Sequence, residues 1–271
     1  MIRFLILAGY FELGMYLQLS GKLDHYINNH YSYLAYISMA LSFILAIVQL
    51  IVWMKQLKVP SHLSSRLAKF LSPVILVLPV FVGLLVPTVS LDSTTVSAKG
   101  YHFPLAAGSA NSGTSSDGTR VQYLKPDTSL YFTKSAYNKE MQSSLKRYRG
   151  KGKLTITTQN YMEVMEIIYL FPEEFKNREI EYVGFVYNDP KNKNSQFLFR
   201  FGIIHCIADS GVYGLLTKGG SAHYHNNDWV KVSGKISVEY NQELKQTLPV
   251  LHIDKSSATA KPKNPYVYRV F

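Results

Sequence analysis

Residues 31–54, YSYLAYISMALSFILAIVQLIVWM, contain no charged side chain. At about 1.5 Å per residue, a helix of this length covers roughly 36 Å, enough for a hydrocarbon core of about 30 Å. The stretch predicts a transmembrane helix, and the chain around it reads as that of a membrane protein. Phe70 to Leu91 is likewise free of formal charge. It predicts a second such span, kinked at Pro73, Pro79 and Pro87, whose rings break the helical ladder and leave backbone carbonyls seeking partners. Ile2 to Ser20 predicts a third, opened by Arg3 and interrupted by Glu12 and Gln18. A secretory signal peptide is the alternative reading of that segment. The apolar character that runs on to Leu19, with no small-x-small cleavage site after it, weighs against this.

The loops set the orientation. Residues 55–69 carry Lys55, Lys58, Arg66 and Lys69 with no acidic residue, whereas residues 21–30 carry only Lys22 against Asp24. Basic loops stay in the cytoplasm. The N-terminus is therefore expected inside and everything after Leu91 outside. Tyr26, Tyr31, Tyr33 and Tyr36 then gather at the outer interface and Trp53 at the inner one, where amphipathic rings prefer to lie.

The formal charge of +11 divides into six basic against two acidic residues up to residue 91, and 23 against 16 beyond it. Lys146, Arg147, Arg149, Lys151 and Lys153 form the one dense basic cluster. It falls in the part expected outside the cell, which argues against nucleic acid. The reading left is attraction to anionic headgroups or wall polymer, or a solvated connector. Cys206 is the single cysteine, so no intrachain disulfide and no cysteine zinc cluster can form, and a lone thiol in an apolar run reads as a small buried side chain.

Beyond the spans, Asp92 to Thr95 and Ala107 to Gly118 are rich in Ser, Gly, Ala and Thr and predict a flexible tether over 92–122. Residues 123–271 are expected to form one domain. Asp127 to Tyr148 suits a helix, Leu154 to Thr158 a short strand, and Tyr161 to Tyr169 an amphipathic helix ended by Phe171 and Pro172. Strands follow at 180–187, 196–207, 212–216, 229–238, 249–253 and 265–268, separated by turn residues. Short strands in this number, with Gly184, Gly202 and Gly234 where the chain would bend sharply, point to a small β-barrel of the oligonucleotide/oligosaccharide-binding (OB-like) type, preceded by a helix. The fold class is thus an α+β membrane protein, with a three-helix bundle over 1–91 and an extracytoplasmic barrel.

Several segments carry a resemblance: Leu19-Ser20-Gly21-Lys22 and Tyr26-Ile27 within Phe11 to Asn28, Tyr182 to Tyr187, Arg200 to Asp209 with His205-Cys206-Ile207-Ala208-Asp209, and Asn264-Pro265-Tyr266-Val267-Tyr268. Together they resemble the YcgQ-like family of bacterial membrane permease subunits over nearly the whole chain. The resemblance implies the second component of a two-component permease complex, working beside a separate multi-spanning permease. Where that family often has a cysteine pair, this chain has His205-Cys206, so no thiol chemistry is carried over.

Glu12 is the acidic residue inside a predicted span, where an ionisable group is a functional candidate by default. It could pair with a basic residue of a partner or take part in proton movement; the alternative is a shallow or protein-packed segment. His223 and His225 with Asp228, and His205, His252 and Asp254 elsewhere, supply the residue types a metal would need, but two histidines in a polar loop are usually only exposed. No metal site and no cofactor are assigned. Ser210-Gly211 is not a nucleophile elbow, no His-Glu-x-x-His or glycine-rich phosphate cradle occurs, and no enzyme activity is expected. Three spans are too few for an independent alternating-access transporter. The expected function is an accessory permease subunit at the lipid bilayer that handles a small solute, amino acids being one option. The alternative is a membrane-anchored binding protein for wall polymer or a metal ion, using Tyr213, Tyr224 and Trp229 as stacking surfaces.

Overall fold

The computed structural model describes residues 1–57, 65–87, 89–100, 134–150, 152–190, 196–220, 224–242 and 246–269. It divides into two compact units, Met1–Ser90 and Leu91–Phe271.

The first unit is built from α1 (Ile2–Leu19), α2 (Ser32–Met54) and α3 (Arg66–Leu85), each long and apolar enough to cross a membrane. α1 packs against both other helices. Glycines allow the approach: a Cβ on Gly14 would lie 2.5 Å from Met39, and one on Gly83 would lie 2.7 Å from Leu13. Small residues at contacts are how membrane helices gain close packing. Phe11 and Phe43 add a tilted ring contact at 5.1 Å. The Tyr10 hydroxyl donates to the Leu76 carbonyl at 2.9 Å, in the turn that Pro79 loosens by withholding an amide from the preceding turn. Apolar side chains on all three helices, among them Leu34, Ile44, Leu78 and Phe81, are exposed, the reverse of a water-soluble bundle.

The third span differs from its sequence reading over 70–91. Ser65 caps the helix by accepting from the Ala68 amide at 3.0 Å, so α3 starts at Arg66 and takes Arg66 and Lys69 into its first turns. It ends at Leu85, with Val86 extended before Pro87, because a residue preceding proline is pushed out of the helical region. Pro87 therefore terminates the helix and does not kink it.

In the second unit the expected tether begins with structure. Asp92 accepts from the Thr94 and Thr95 amides and caps α4 (Ser93–Lys99), whose Val96 is buried. The rest of the tether reading, 101–122, lies outside the described residues. α5 (Lys134–Tyr148), β1 (Leu154–Thr155) and α6 (Tyr161–Leu170) precede the main strands β2 (Glu179–Asn188), β3 (Gln196–Ile203), β4 (Gly211–Gly219), β5 (Trp229–Asn241) and β6 (Gln246–Ala258), with β7 (Val267–Tyr268) last. β2 pairs antiparallel with both β5 and β3, β3 with β4, and β5 with β6, while β4 and β6 run parallel. The five strands form a circuit in which each has two neighbours. At the bulge between Ser233 and Gly234 a Cβ on Gly234 would sit 1.9 Å from the His252 carbonyl, so only glycine lets the two backbones approach that closely.

Two apolar clusters result. Ile180, Tyr182, Leu198, Leu215, Val232 and Leu251 gather with α6, where seven of ten residues are buried. Phe185, Tyr187, Phe197, Phe199 and Phe201 form the other with Val96 and Tyr266. Both faces of β3 are therefore covered, which explains its nearly unbroken apolar run.

Arg200 interrupts that run and is 2% exposed. Its guanidinium donates to the carbonyls of Asn264, Pro265 and Tyr266 at 3.1–3.2 Å and to the Thr158 hydroxyl at 2.9 Å. It lies over the rings of Tyr161 and Trp229, at 5.6 and 5.8 Å. The Tyr266 hydroxyl accepts in turn from the Leu91 amide at 3.0 Å. Arg200→Lys keeps the charge but has no planar fork to serve three carbonyls. We expect a loss of about 3 kcal/mol, or roughly 10 °C in the unfolding midpoint of a unit this size. Trp229 fluorescence of the full chain in a Trp53→Phe background would report it; an unchanged midpoint contradicts this role.

Candidate functional site

In the membrane unit, α1 turns one face toward its two partner helices and leaves the other uncovered. Leu5, Glu12, Tyr16 and Leu19 recur at near-heptad spacing on the uncovered face and are all exposed. Glu12 sits close to the midpoint of the helix and makes no hydrogen bond or ion pair among the described residues. The nearby cation is committed elsewhere, since Lys22 donates to the Tyr16 hydroxyl at 2.6 Å and lies over its ring at 5.0 Å. The protein-packed alternative for Glu12 does not describe this geometry.

In the second unit the basic cluster is not a free positive patch. Arg147 pairs with Glu163 at 3.1 Å, Arg149 with Glu174 at 3.1 Å, and Lys153 with Glu181 at 2.8 Å. Glu163 also accepts from Ser144 and Tyr148. The hydrogen bonds from Lys153 and Lys231 hold the Glu181 carboxyl below its ordinary range. Lys151 lies outside the described residues. The acidic partners come from α6 and β2 and from the turn between them, which a linear charge count cannot register.

The histidines are separated. His205 binds Asp209 at 2.6 Å, His225 faces Asp228 at 3.7 Å, and His252 binds Glu239 at 2.6 Å; His223 lies outside the described residues. Among the described residues no three His, Cys, Asp or Glu side chains come together as a metal would require. Cys206 is half-buried, not fully buried as its apolar run predicts, because it caps the short turn Ile207–Asp209, with Asp209 accepting from the amides of His205 and Cys206. The proposed stacking rings are also engaged. Tyr213 packs beneath Gly202, Tyr224 donates to Ser256, and Trp229 tilts against Phe185. Tyr240, at 63% exposure, is the large apolar side chain of this unit left exposed among the described residues. It lies at the end of β5, a position the sequence reading left out because its strand ended at residue 238.

Beside Tyr240, the opposite face of the strand carries a polar cluster. Glu239 accepts from Lys218 at 2.6 Å, from Ser237, and from His252. Burial raises its pKa, but these hydrogen bonds outweigh burial and bring it down to about 2. A depressed carboxyl stabilises the fold above its unfolded value, near 4.5, and that contribution is lost as pH falls toward 2. Because the half-buried side chain keeps 30% of its surface exposed, solvent screening holds the contribution below about 1 kcal/mol. Glu239→Gln should therefore lower the unfolding midpoint by roughly 2 °C at neutral pH. The difference from the parent should shrink on acidification from pH 5 to pH 2; a difference that grows instead contradicts the assignment.

With these features in place, comparison with known proteins gives the lineage. The DUF1980 N-terminal domain matches residues 2–102 and the DUF1980 C-terminal domain residues 131–269. A protein of Streptococcus mutans serotype c (strain ATCC 700610 / UA159), named "Putative two-component membrane permease complex subunit", is 83% identical over the whole of both chains. The UPF0703 protein YcgQ of Bacillus subtilis (strain 168) is 35% identical, again over the whole of both chains. The chain belongs to the YcgQ (UPF0703) family, whose DUF1980 N- and C-terminal domains correspond to its helical and its strand-rich part.

Proposed function

We propose that this chain is the accessory subunit of a two-component membrane permease complex and works with a separate multi-spanning permease on a small solute. The observation that carries the reading is full-length identity of 83% to a protein bearing the subunit name. The architecture supports it. Among the described residues three helices are long and apolar enough to span, with α1 between the other two, fewer than the repeated bundles alternating access uses. The role is non-enzymatic: the chain supplies docking helices and a binding domain to a partner that forms the path.

The strand circuit is read as a small closed barrel of the OB-like kind. In its support, β2 to β6 close in a ring, β4 and β6 are parallel, and α6 fills one apolar cluster. Such barrels bind ligands with the face of their second and third strands and with the loops after the first and fourth. Here the aromatic surface of β3 is covered by Val96 and Tyr266, so the solute contact is placed at the loop ends, near Tyr240. The domain is read as extracytoplasmic, with the N-terminus inside. The support is the basic end of α3, where Arg66 and Lys69 lie in its first turns, together with Lys55 and Lys58 in the loop before it.

Full-length tagged chain extracted from native membranes in mild detergent should elute with a multi-spanning membrane protein in fixed ratio. If it elutes alone, and its deletion leaves solute uptake unchanged, the subunit reading fails.

A further inference from the structure

A carboxylate near the centre of a bilayer is costly by several kcal/mol on any scale and persists where it has a partner. Glu12 has none among the described residues of its unit. The basic residues of the first 90 positions are Arg3, Lys22, Lys55, Lys58, Arg66 and Lys69; Lys58 lies outside the described residues, and the others stand at helix ends or in the turns beside them. Arg3 lies nine residues before Glu12 on the same helix, about 13 Å along the axis. Lys22 is held by Tyr16. Among the described residues none of these cations pairs with Glu12. The surrounding side chains, Leu5, Tyr16 and Leu19, are exposed and, the Tyr16 hydroxyl aside, apolar.

A second copy of the chain is a poor occupant. A two-fold contact through this face brings α1 against α1, and near the helix midpoint it sets one Glu12 carboxylate beside the other, doubling the unpaired charge. What fits is a helix that presents a cation at the same depth. We infer that the Leu5–Glu12–Leu19 face of α1 is the docking surface for a transmembrane helix of the permease partner, and that a Lys or Arg of that helix pairs with Glu12. This rests on the permease-subunit reading and names its point of contact. It also gives the pairing a selective role: a charge left alone in hydrocarbon disfavours every partner helix that lacks the complementary group.

The test uses the full chain in its native membranes. Glu12→Gln removes a charge from the hydrocarbon, so the variant inserts at least as readily as the parent, and loss of binding cannot be assigned to misfolding. Glu12→Gln and Glu12→Lys should each lower the partner recovered per subunit by roughly tenfold, equivalent to about 1.4 kcal/mol, while Glu12→Asp retains part of it. A photoreactive side chain at Leu5 or Leu19 should cross-link to a partner helix within about one turn of a Lys or Arg. Changing that residue to Glu should restore binding of Glu12→Lys. Parental recovery with Glu12→Gln, or cross-links only between copies of this chain or to lipid, overturns the pairing. If the parent recovers its partner and Glu12→Gln does so equally, the pairing alone fails. If the parent recovers none, the subunit reading itself fails.

Discussion

A single buried guanidinium ties the second unit together. Arg200 stands in an apolar strand, pairs with no carboxylate among the described residues, and spends its donors on the Thr158 hydroxyl and three main-chain carbonyls of Asn264 to Tyr266. Burial lowers its pKa from the arginine value, but an arginine stays charged across any accessible pH, and the carbonyls with the rings of Tyr161 and Trp229 stand in for solvent. Holding those carbonyls fixes Tyr266, which covers the aromatic cluster and accepts from Leu91. The beginning and the end of the unit are thereby held by one side chain. Two of the segments that carry the family resemblance, Arg200 to Asp209 and Asn264 to Tyr268, are the two halves of this contact.

The two units satisfy burial in opposite ways. The helices of the first keep few side chains inside and leave broad apolar surface outside, the arrangement suited to lipid. The second packs both faces of β3 and pairs Arg147, Arg149 and Lys153 of its basic cluster with Glu163, Glu174 and Glu181. Charges left without a partner therefore carry more meaning in the first unit than in the second. Glu12 is costly where it stands, whereas the salt bridges of Arg147, Arg149 and Lys153 each have an exposed basic partner and are of small energy.

Much of this was legible in the sequence. Apolar runs located α1 and α2 almost to the residue, and alternation with turn residues found the main strands and α6. The end of α3 was misread because hydropathy continues past Leu85 while the backbone obeys Pro87. α4 was read as tether because its Ser and Thr content resembles a linker, and only the Asp92 cap and the buried Val96 mark it as helix. β1 shrank to two residues, and β5 and β6 ran past their predicted ends because each supports the other through the long ladder around Gly234. Of the candidate site residues, Glu12 was visible as a charge in a span. The role of Arg200 was not, since its acceptors are carbonyls more than 60 residues away. The histidines, to which no metal site was assigned, have partners of two kinds: Asp209 and Asp228 are close in sequence to His205 and His225, whereas Glu239 meets His252, and Gly202 and Phe185 meet Tyr213 and Trp229, only in three dimensions.

The proposed subunit role needs docking helices joined to a domain that faces out of the cell. In a Cys206→Ser background, the thiol introduced by Lys255→Cys on the exposed part of β6 should react in intact cells with a membrane-impermeant maleimide, while one introduced by Gln56→Cys after α2 should react only after permeabilisation. The opposite pattern, with Gln56→Cys labelled from outside and Lys255→Cys protected, would contradict the account.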